Sequence, residues 1–110
     1  MTTAPIPVDD LVEQYGVALR AAAKATAAEA AADDARKIIR AKEMIASGEA
    51  AATKAEVIAT ASQPYINAVN ALNAARSEAE EARGEVEYLK VRWETWRSKT
   101  SAQKARIQHG

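Results

Sequence analysis

The most constraining feature of this chain is an unbroken stripe of apolar or small residues between positions 65 and 100. Its members alternate in steps of three and four residues: Tyr65, Ala68, Leu72, Ala75, Ala79, Ala82, Val86, Leu89, Trp93, Trp96 and Thr100. A mean spacing of about 3.5 residues keeps such a stripe on one helix face and matches it to a partner helix. The sequence therefore predicts a long helix that is built for packing and assembly.

A second stripe predicts another long helix in the N-terminal half, over residues 10–46. Lys42 interrupts this stripe, whose other members are Leu11, Tyr15, Ala18, Ala22, Ala25, Ala28, Ala32, Ala35, Ile38 and Ile45. Asp10 has a glutamate three residues later, as in a capping box, and Ser47-Gly48 is a typical helix end. The stripe and its two end signals predict one continuous helix.

The connection between the two helices carries its own signals. Thr53 and Glu56 have capping-box spacing, which predicts a short helix over residues 54–61. Ser62 is a good N-cap for the long helix, predicted over residues 62–106, and Pro64 is tolerated in its first turn. Pro5 and Pro7 predict an extended arm over residues 1–8. No segment resembles a strand.

These elements predict an all-α fold in which residues 1–110 form one domain, a long antiparallel helical hairpin with a coiled-coil-like, alanine-rich seam. Closing the hairpin at the short helix pairs residues whose numbers sum to roughly 110. This pairing places Gly16 and Tyr15 opposite Trp93 and Trp96, where the missing side chain of Gly16 leaves room for an indole. Alanine buries little apolar area, so the core of one chain is thin. We therefore expect a homo-oligomer, in which contacts between subunits add burial.

Composition argues against catalysis and membrane insertion. The chain has no Cys, its one histidine is His109 beside the C-terminus, and no apolar run approaches the roughly 20 residues that span a bilayer. The spacing of the glutamates in positions 78–85 scatters them around the helix, which is typical of a solvated face. We expect a soluble, cytoplasmic, non-enzymatic protein (in the host cytoplasm if a phage encodes it) without cofactor, metal or membrane partner.

The charges are balanced in number but segregated along the chain. Fifteen basic and fifteen acidic residues give no net charge, yet cations concentrate where the predicted hairpin turns. We call this set the tip cluster: Arg36, Lys37, Arg40, Lys42, Lys54 and Arg76. Such a cluster predicts contacts with the phosphates of a nucleic acid. Cations near a helix C-terminus also complement the helix dipole, so a purely structural role stays open.

Two further groups are candidates for secondary contacts with DNA. Asn67, Asn70 and Asn73 form a polar row, either because they bind phosphate or because they line a solvated edge. Arg92 and Arg97 flank Trp93 and Trp96, a combination suited to base stacking. Both indoles also belong to the predicted stripe, which favours burial over stacking.

The layout resembles that of the UvsY recombination mediators of tailed phages. The likeness lies in a basic-x-basic element, Arg40-Ala41-Lys42, closely followed by Ser47-Gly48, and in a short capped segment before a long helix that opens near Tyr65. This resemblance implies a ring-like oligomer and assigns DNA binding to Arg40 and Lys42. It also implies a recombinase or a single-strand-binding protein as partner.

Two hypotheses follow from the sequence. The first is a non-enzymatic accessory protein that binds single-stranded DNA and helps to load a recombinase. The alternative is a protein-only coiled-coil adaptor, such as a virion component or an inhibitor of a host factor. The absence of net charge favours the alternative, because many nucleic-acid-binding proteins are basic.

Overall fold

A computed structural model describes residues 8–109, with side chains described from 9 to 107. Within this range the chain forms three helices and no strand: α1 (Val8–Ala46), α2 (Ala52–Thr60) and α3 (Gln63–His109). The all-α prediction is confirmed. Val8, which the sequence predicts to belong to the extended arm, begins α1. The rest of the predicted arm lies outside the described residues.

The ends of α1 and α3 at the connection follow the expected chemistry. Gly48 has a φ of 71°, the left-handed conformation that glycine adopts without steric cost, and its amide bonds to the carbonyl of Ile45 at 3.2 Å. The hydroxyl of Ser62 accepts a hydrogen bond from the amide of Tyr65 at 3.4 Å. Gly48 as a helix end and Ser62 as an N-cap are both confirmed.

The two predicted capping boxes are wrong. The N-cap of α2 is Ala51, which makes no side-chain cap hydrogen bond, and Thr53 lies inside the first turn. In α1, Asp10 is likewise inside the first turn because the helix starts at Val8. Asp9 and Asp10 still stabilise α1, since carboxylates complement the positive end of the helix dipole.

Residue packing divides the chain into two compact units. The terminal unit combines α1 as far as Ala22 with α3 from Glu81 onward, and the connection unit is Ala23–Glu80. In the terminal unit, Leu11, Ala18 and Leu89 form a buried cluster, against which Tyr15, Val86 and Trp93 pack. The start of α1 lies against the far part of α3, so the two helices are antiparallel there.

The stripe predicted for α3 is confirmed over most of its length. Between Tyr65 and Trp93 all of its members are buried or half-buried, and Ala79 is fully covered. Trp96 departs from the stripe because 37% of its surface is exposed. A three-four alternation of small and apolar residues was therefore sufficient to identify the packing face of α3.

The stripe predicted for α1 is correct from Leu11 to Ala25 and again at Ala32, and wrong at its other members beyond Ala25. The covered face continues through Glu29, Ala32 and Arg36, whereas Ala28, Ala35, Ile38 and Ile45 are exposed. The three-four alternation is kept, but two of its positions hold charged residues instead of alanine. These charges are tolerated because each one finds a polar partner at the helix interface.

The pairing of α1 with α3 in the connection unit also differs from the prediction. The predicted pairing places Glu29 opposite position 81, whereas its carboxylate lies 3.7 Å from the guanidinium of Arg76. The reason is α2, which buries Ala55 and Ala59 and contacts the end of α1 through Glu56 and Arg40. Because α2 occupies this place, the first turn of α3 lies opposite Arg36.

Gly16 does not accommodate an indole, contrary to the prediction. A Cβ atom at Gly16 would meet only the side chain of Arg20, at 3.5 Å. Trp93 packs instead beside Tyr15 on the buried cluster of the terminal unit.

Candidate nucleic-acid interface

The structure pairs four of the six cations in the tip cluster with carboxylates. Arg36 and Lys37 both contact Asp33, which lies one turn before them in α1. The carboxylate oxygens of Asp33 are 2.9 Å from the guanidinium of Arg36 and 3.3 Å from the ammonium group of Lys37. Arg40 lies 3.8 Å from Glu56 of α2, and Arg76 lies 3.7 Å from Glu29. The tip cluster is therefore largely charge-compensated, which weakens the attraction that it exerts on a phosphate backbone.

The strongest of these pairs shifts the ionisation of both partners. The pKa of Asp33 is lowered from its ordinary value of 3.8, first by the hydrogen bond from Arg36 and second by that from Lys37. The pKa of Arg36 is raised, chiefly by Asp33 and then by the hydroxyl of Tyr65. Both groups stay fully charged at neutral pH, so Arg36 is committed to contacts within the protein.

Lys42 and Lys54 are exposed and form no ion pair with another described residue. Lys54 lines a groove of about 250 Å³ together with Thr53, Val57 and Ile58. Glu49 lines the same groove. These two lysines are the part of the tip cluster that remains available to a ligand.

The predicted row of asparagines is exposed along α3. Asn67, Asn70 and Asn73 all face solvent, and the side-chain oxygen of Asn67 accepts a hydrogen bond from Gln63 at 2.8 Å. This bond joins two neighbouring turns of one helix and explains the presence of Asn67 without any ligand.

A second cationic surface lies on α3 in the terminal unit. Tyr88, Arg92, Trp96 and Lys99 follow one another at intervals of four, four and three residues, and we call them the ladder. The guanidinium carbon of Arg92 lies 5.8 Å from the centroid of the Tyr88 ring. Residues three or four apart lie on the same helix face, so aromatic rings alternate with cations along one edge of α3, on which only Arg92 is half-buried and the other three residues are exposed.

The two tryptophans join this ladder to the core. The rings of Trp93 and Trp96 are stacked, with centroids 5.2 Å apart and an angle of 18° between their planes. Trp93 packs on the buried cluster, which fixes the ring of Trp96 at the surface. Tyr88, with 54% of its surface exposed, extends the aromatic edge further. A partly exposed indole beside cations is an arrangement on which bases of single strands stack.

On the other flank of Trp93 the two helices enclose a notch of about 370 Å³. Its walls are mostly apolar, with Lys90, Glu94 and Arg97 at its edge; the remaining lining residues are Leu11, Val12, Tyr15 and Trp93. Arg97 and Glu94 also line the neighbouring polar groove with Ser98 and Ser101. The notch offers a stacking wall and two cations, opposed by one carboxylate.

Charge along this part of α3 is strongly one-sided. Between positions 88 and 107 the only acid is Glu94, against six cations: Lys90, Arg92, Arg97, Lys99, Lys104 and Arg106. None of the six is ion-paired with another described residue. The sequence singles out Arg92, Arg97 and Lys99 beside the tryptophans but not Lys90 or Tyr88. Spacing is the signal that could have identified these two, because Lys90 lies three residues before Trp93 and Tyr88 lies four residues before Arg92.

No family model, curated protein or solved structure matches the chain. Among the described residues no group of three or more acidic or histidine side chains is arranged to hold a metal ion. Within the same range, none of the helices is both long enough and apolar enough to cross a membrane.

Proposed function

We propose that this protein is a non-enzymatic accessory protein that binds single-stranded DNA along the ladder of α3 and acts as a homo-oligomer. The observation that carries the proposal is the alternation of Tyr88, Arg92, Trp96 and Lys99 along one edge of α3, where all are exposed except the half-buried Arg92. This assignment moves the principal contacts from the tip cluster to the terminal unit.

The proposal rests on how single strands are recognised. Bases that are not paired expose their faces and stack on aromatic rings, while cations beside the rings neutralise phosphates. Trp96 is held by its stack on Trp93, so little conformational freedom is lost when a base stacks on it. Arg97 and Lys90 flank the notch and extend the same cationic surface to the other side of Trp93.

The resemblance to UvsY recombination mediators supports a more specific role. A homo-oligomer that presents several such ladders would hold a strand in a defined shape for a recombinase or in competition with a single-strand-binding protein. Lys54, which is exposed and lacks a carboxylate partner among the described residues, would supply an additional phosphate contact at the tip.

Tryptophan fluorescence titrated with an oligothymidylate at several salt concentrations tests the proposal directly. The Arg92→Gln/Lys99→Gln variant removes two ladder cations, so the slope of log affinity against log salt should become shallower by about 1.4. Trp96→Leu should weaken binding by about tenfold, because one base loses its stacking partner. Duplex DNA of equal length should bind more weakly than the single strand.

Matched variants provide the control. Arg36→Gln/Arg76→Gln removes two cations that are already paired with carboxylates and should leave the salt slope unchanged. Equal losses in the two double variants would contradict the ladder as the binding surface. Circular dichroism of each variant shows whether its helices are intact.

A protein-only adaptor is the second candidate, and the charge compensation of the tip cluster favours it. If this function is correct, the chain assembles with itself but shows no affinity for the oligothymidylate at physiological salt. Mass measurement with and without the oligonucleotide, at two salt concentrations, separates the two functions.

A further inference from the structure

A second three-four stripe lies on the outside of α1 in the connection unit. We call it the outer stripe, and all of its members are exposed: Ala27, Ala31, Asp34, Ile38, Ala41 and Ile45. Ile38 is two residues from Arg36 on the covered face, and at 100° per residue it points away from α3. The same helix thus carries a packing face toward α3 and another face of the same period toward solvent.

The two isoleucines distinguish this face from ordinary helix surface. Ile38 is 55% exposed and Ile45 is 81% exposed, and they lie seven residues apart in the stripe. Single exposed apolar residues are normal on protein surfaces. Here two β-branched residues lie one heptad apart in a single stripe. Asp34 precedes Ile38 in the stripe and Ala41 precedes Ile45. This is the pattern of a helix–helix interface.

We infer that a second copy of this chain packs antiparallel on the outer stripe, with the two-fold axis passing at Ile38. This pairing places Ile38 against Ile38 of the partner subunit and Ala31 against Ile45 of the partner subunit. A small residue then faces a large one on each side of the axis, which lets the two helices interdigitate. The inference specifies an interface for the homo-oligomer proposed above and rests on that proposal.

Charge complementarity selects this arrangement. In the antiparallel pairing Asp34 faces Lys42 of the partner subunit, and the symmetry axis produces the contact twice. Asp34 and Lys42 are both exposed, and neither forms an ion pair with another described residue. A parallel pairing in register would instead bring two Asp34 carboxylates together inside the stripe, which is unfavourable.

The size of the outer stripe sets the strength of the contact. From Ala27 to Ile45 the helix rises about 27 Å, and a strip about 10 Å wide along it covers roughly 300 Å² on each subunit. A standard interface buries about 800 Å² on each partner. The dimer is therefore weak and reversible, and its population depends on protein concentration.

Sedimentation equilibrium without nucleic acid, over a wide range of protein concentration, tests the inference. Ile38→Lys puts two like charges on the symmetry axis and should weaken the dimer at least tenfold. Val57→Lys, an exposed position of α2 outside the stripe, should leave the dimer unchanged. Asp34→Lys and Lys42→Asp should each weaken it, and the double variant should restore it because the two charges are exchanged.

Rescue by the charge exchange would support the pairing even if one single variant folds poorly. A wild-type chain that is monomeric at every concentration overturns the inference. Oligomers that are equally affected by Ile38→Lys and Val57→Lys, or that show no rescue, overturn this interface but leave the proposed homo-oligomer intact. Oligothymidylate titration of the Ile38→Lys variant reports separately on the ladder.

Discussion

Arg36 of α1 donates a hydrogen bond to the hydroxyl of Tyr65 in α3 at 3.3 Å, while it also holds Asp33 of its own helix. One guanidinium therefore joins two turns of α1 to the first turn of α3. Arg36 occupies a position that an apolar residue fills in a simple coiled coil. Its contact with Tyr65 gives the connection unit a specific pairing of helices, because another pairing would leave the guanidinium without its cross-helix acceptor.

Tyr65→Phe should lower the thermal stability slightly. The substitution removes the acceptor but keeps the ring in the seam and leaves Arg36 bound to Asp33, so we expect Tm to decrease by no more than about 4 °C. Tyr88→Phe is the matched control, since the Tyr88 ring is exposed and its contact with Arg92 needs no hydroxyl. Calorimetry of the two variants and wild type measures the difference; an equal decrease in both would show that the Tyr65 hydroxyl does not stabilise the fold.

Asp33 should make stability depend on pH in the acid range. Its pKa is lower in the folded chain than the ordinary value of 3.8, so its contribution is present at neutral pH and is lost as pH falls through the folded pKa. Asp33→Asn should therefore be less stable than wild type at pH 7, and the difference should narrow below about pH 4. Urea unfolding of dilute protein across this range measures it.

Asp34→Asn provides the comparison for the acid titration. The carboxylate of Asp34 forms no ion pair with another described residue, so this variant should follow the wild-type curve in dilute protein. If the two variants have the same pH dependence, the contacts of Asp33 with Arg36 and Lys37 do not account for the acid sensitivity.

Two glycines should respond oppositely to alanine. Gly48 has a φ of 71°, so Gly48→Ala should lower the free energy of unfolding by about 1 kcal/mol through steric strain. Gly84 lies inside α3 and a Cβ atom there meets nothing within 4 Å, so Gly84→Ala should raise the free energy of unfolding by about 0.5–1 kcal/mol. Urea titration of the two variants gives both values, and destabilisation by Gly84→Ala would contradict the open environment of that site.

Leu89 should be the most sensitive position in the terminal unit. It is buried in the cluster with Leu11 and Ala18, so Leu89→Ala should cost about 2–5 kcal/mol, near the lower end because the neighbouring side chains are small. Val91→Ala, two residues away on an exposed face, should change stability by less than about 0.5 kcal/mol. Denaturant midpoints distinguish the two; similar losses would place the packing face of α3 elsewhere.

The two helices differ in how well their sequence identifies the packing face. In α3 the stripe includes Leu72, Val86, Leu89 and Trp93, which are large enough to distinguish the covered face from the exposed one. In α1, alanines occupy nearly every position from 21 to 32, so they do not mark a face. The predicted stripe passes through Ala28 instead of Glu29, because a charged residue is recognised as part of an interface only when its partner is known.

The sequence identifies the tip cluster as a concentration of cations. It does not identify the carboxylates that compensate four of these cations. Lys37 meets Asp33 one turn away, which spacing along a helix can predict. Arg40 and Arg76 meet Glu56 and Glu29, which lie on other helices and depend on the pairing displaced by α2. The ladder has the opposite character: its members lie on one helix, so its spacing was present in the sequence from the start.

The exposure of α3 after Arg97 has a consequence for its stability. From Arg97 to Ile107 every side chain except that of Thr100 is exposed, so these turns bury almost nothing. A helical segment of this length is marginal in water when no partner covers it. Amide hydrogens of this segment should therefore exchange with solvent before those of the covered part of α3. The helix content of the segment should rise when a polyanion neutralises its cations, which are Arg97, Lys99, Lys104 and Arg106. The folding of these turns thus depends on the ionic conditions.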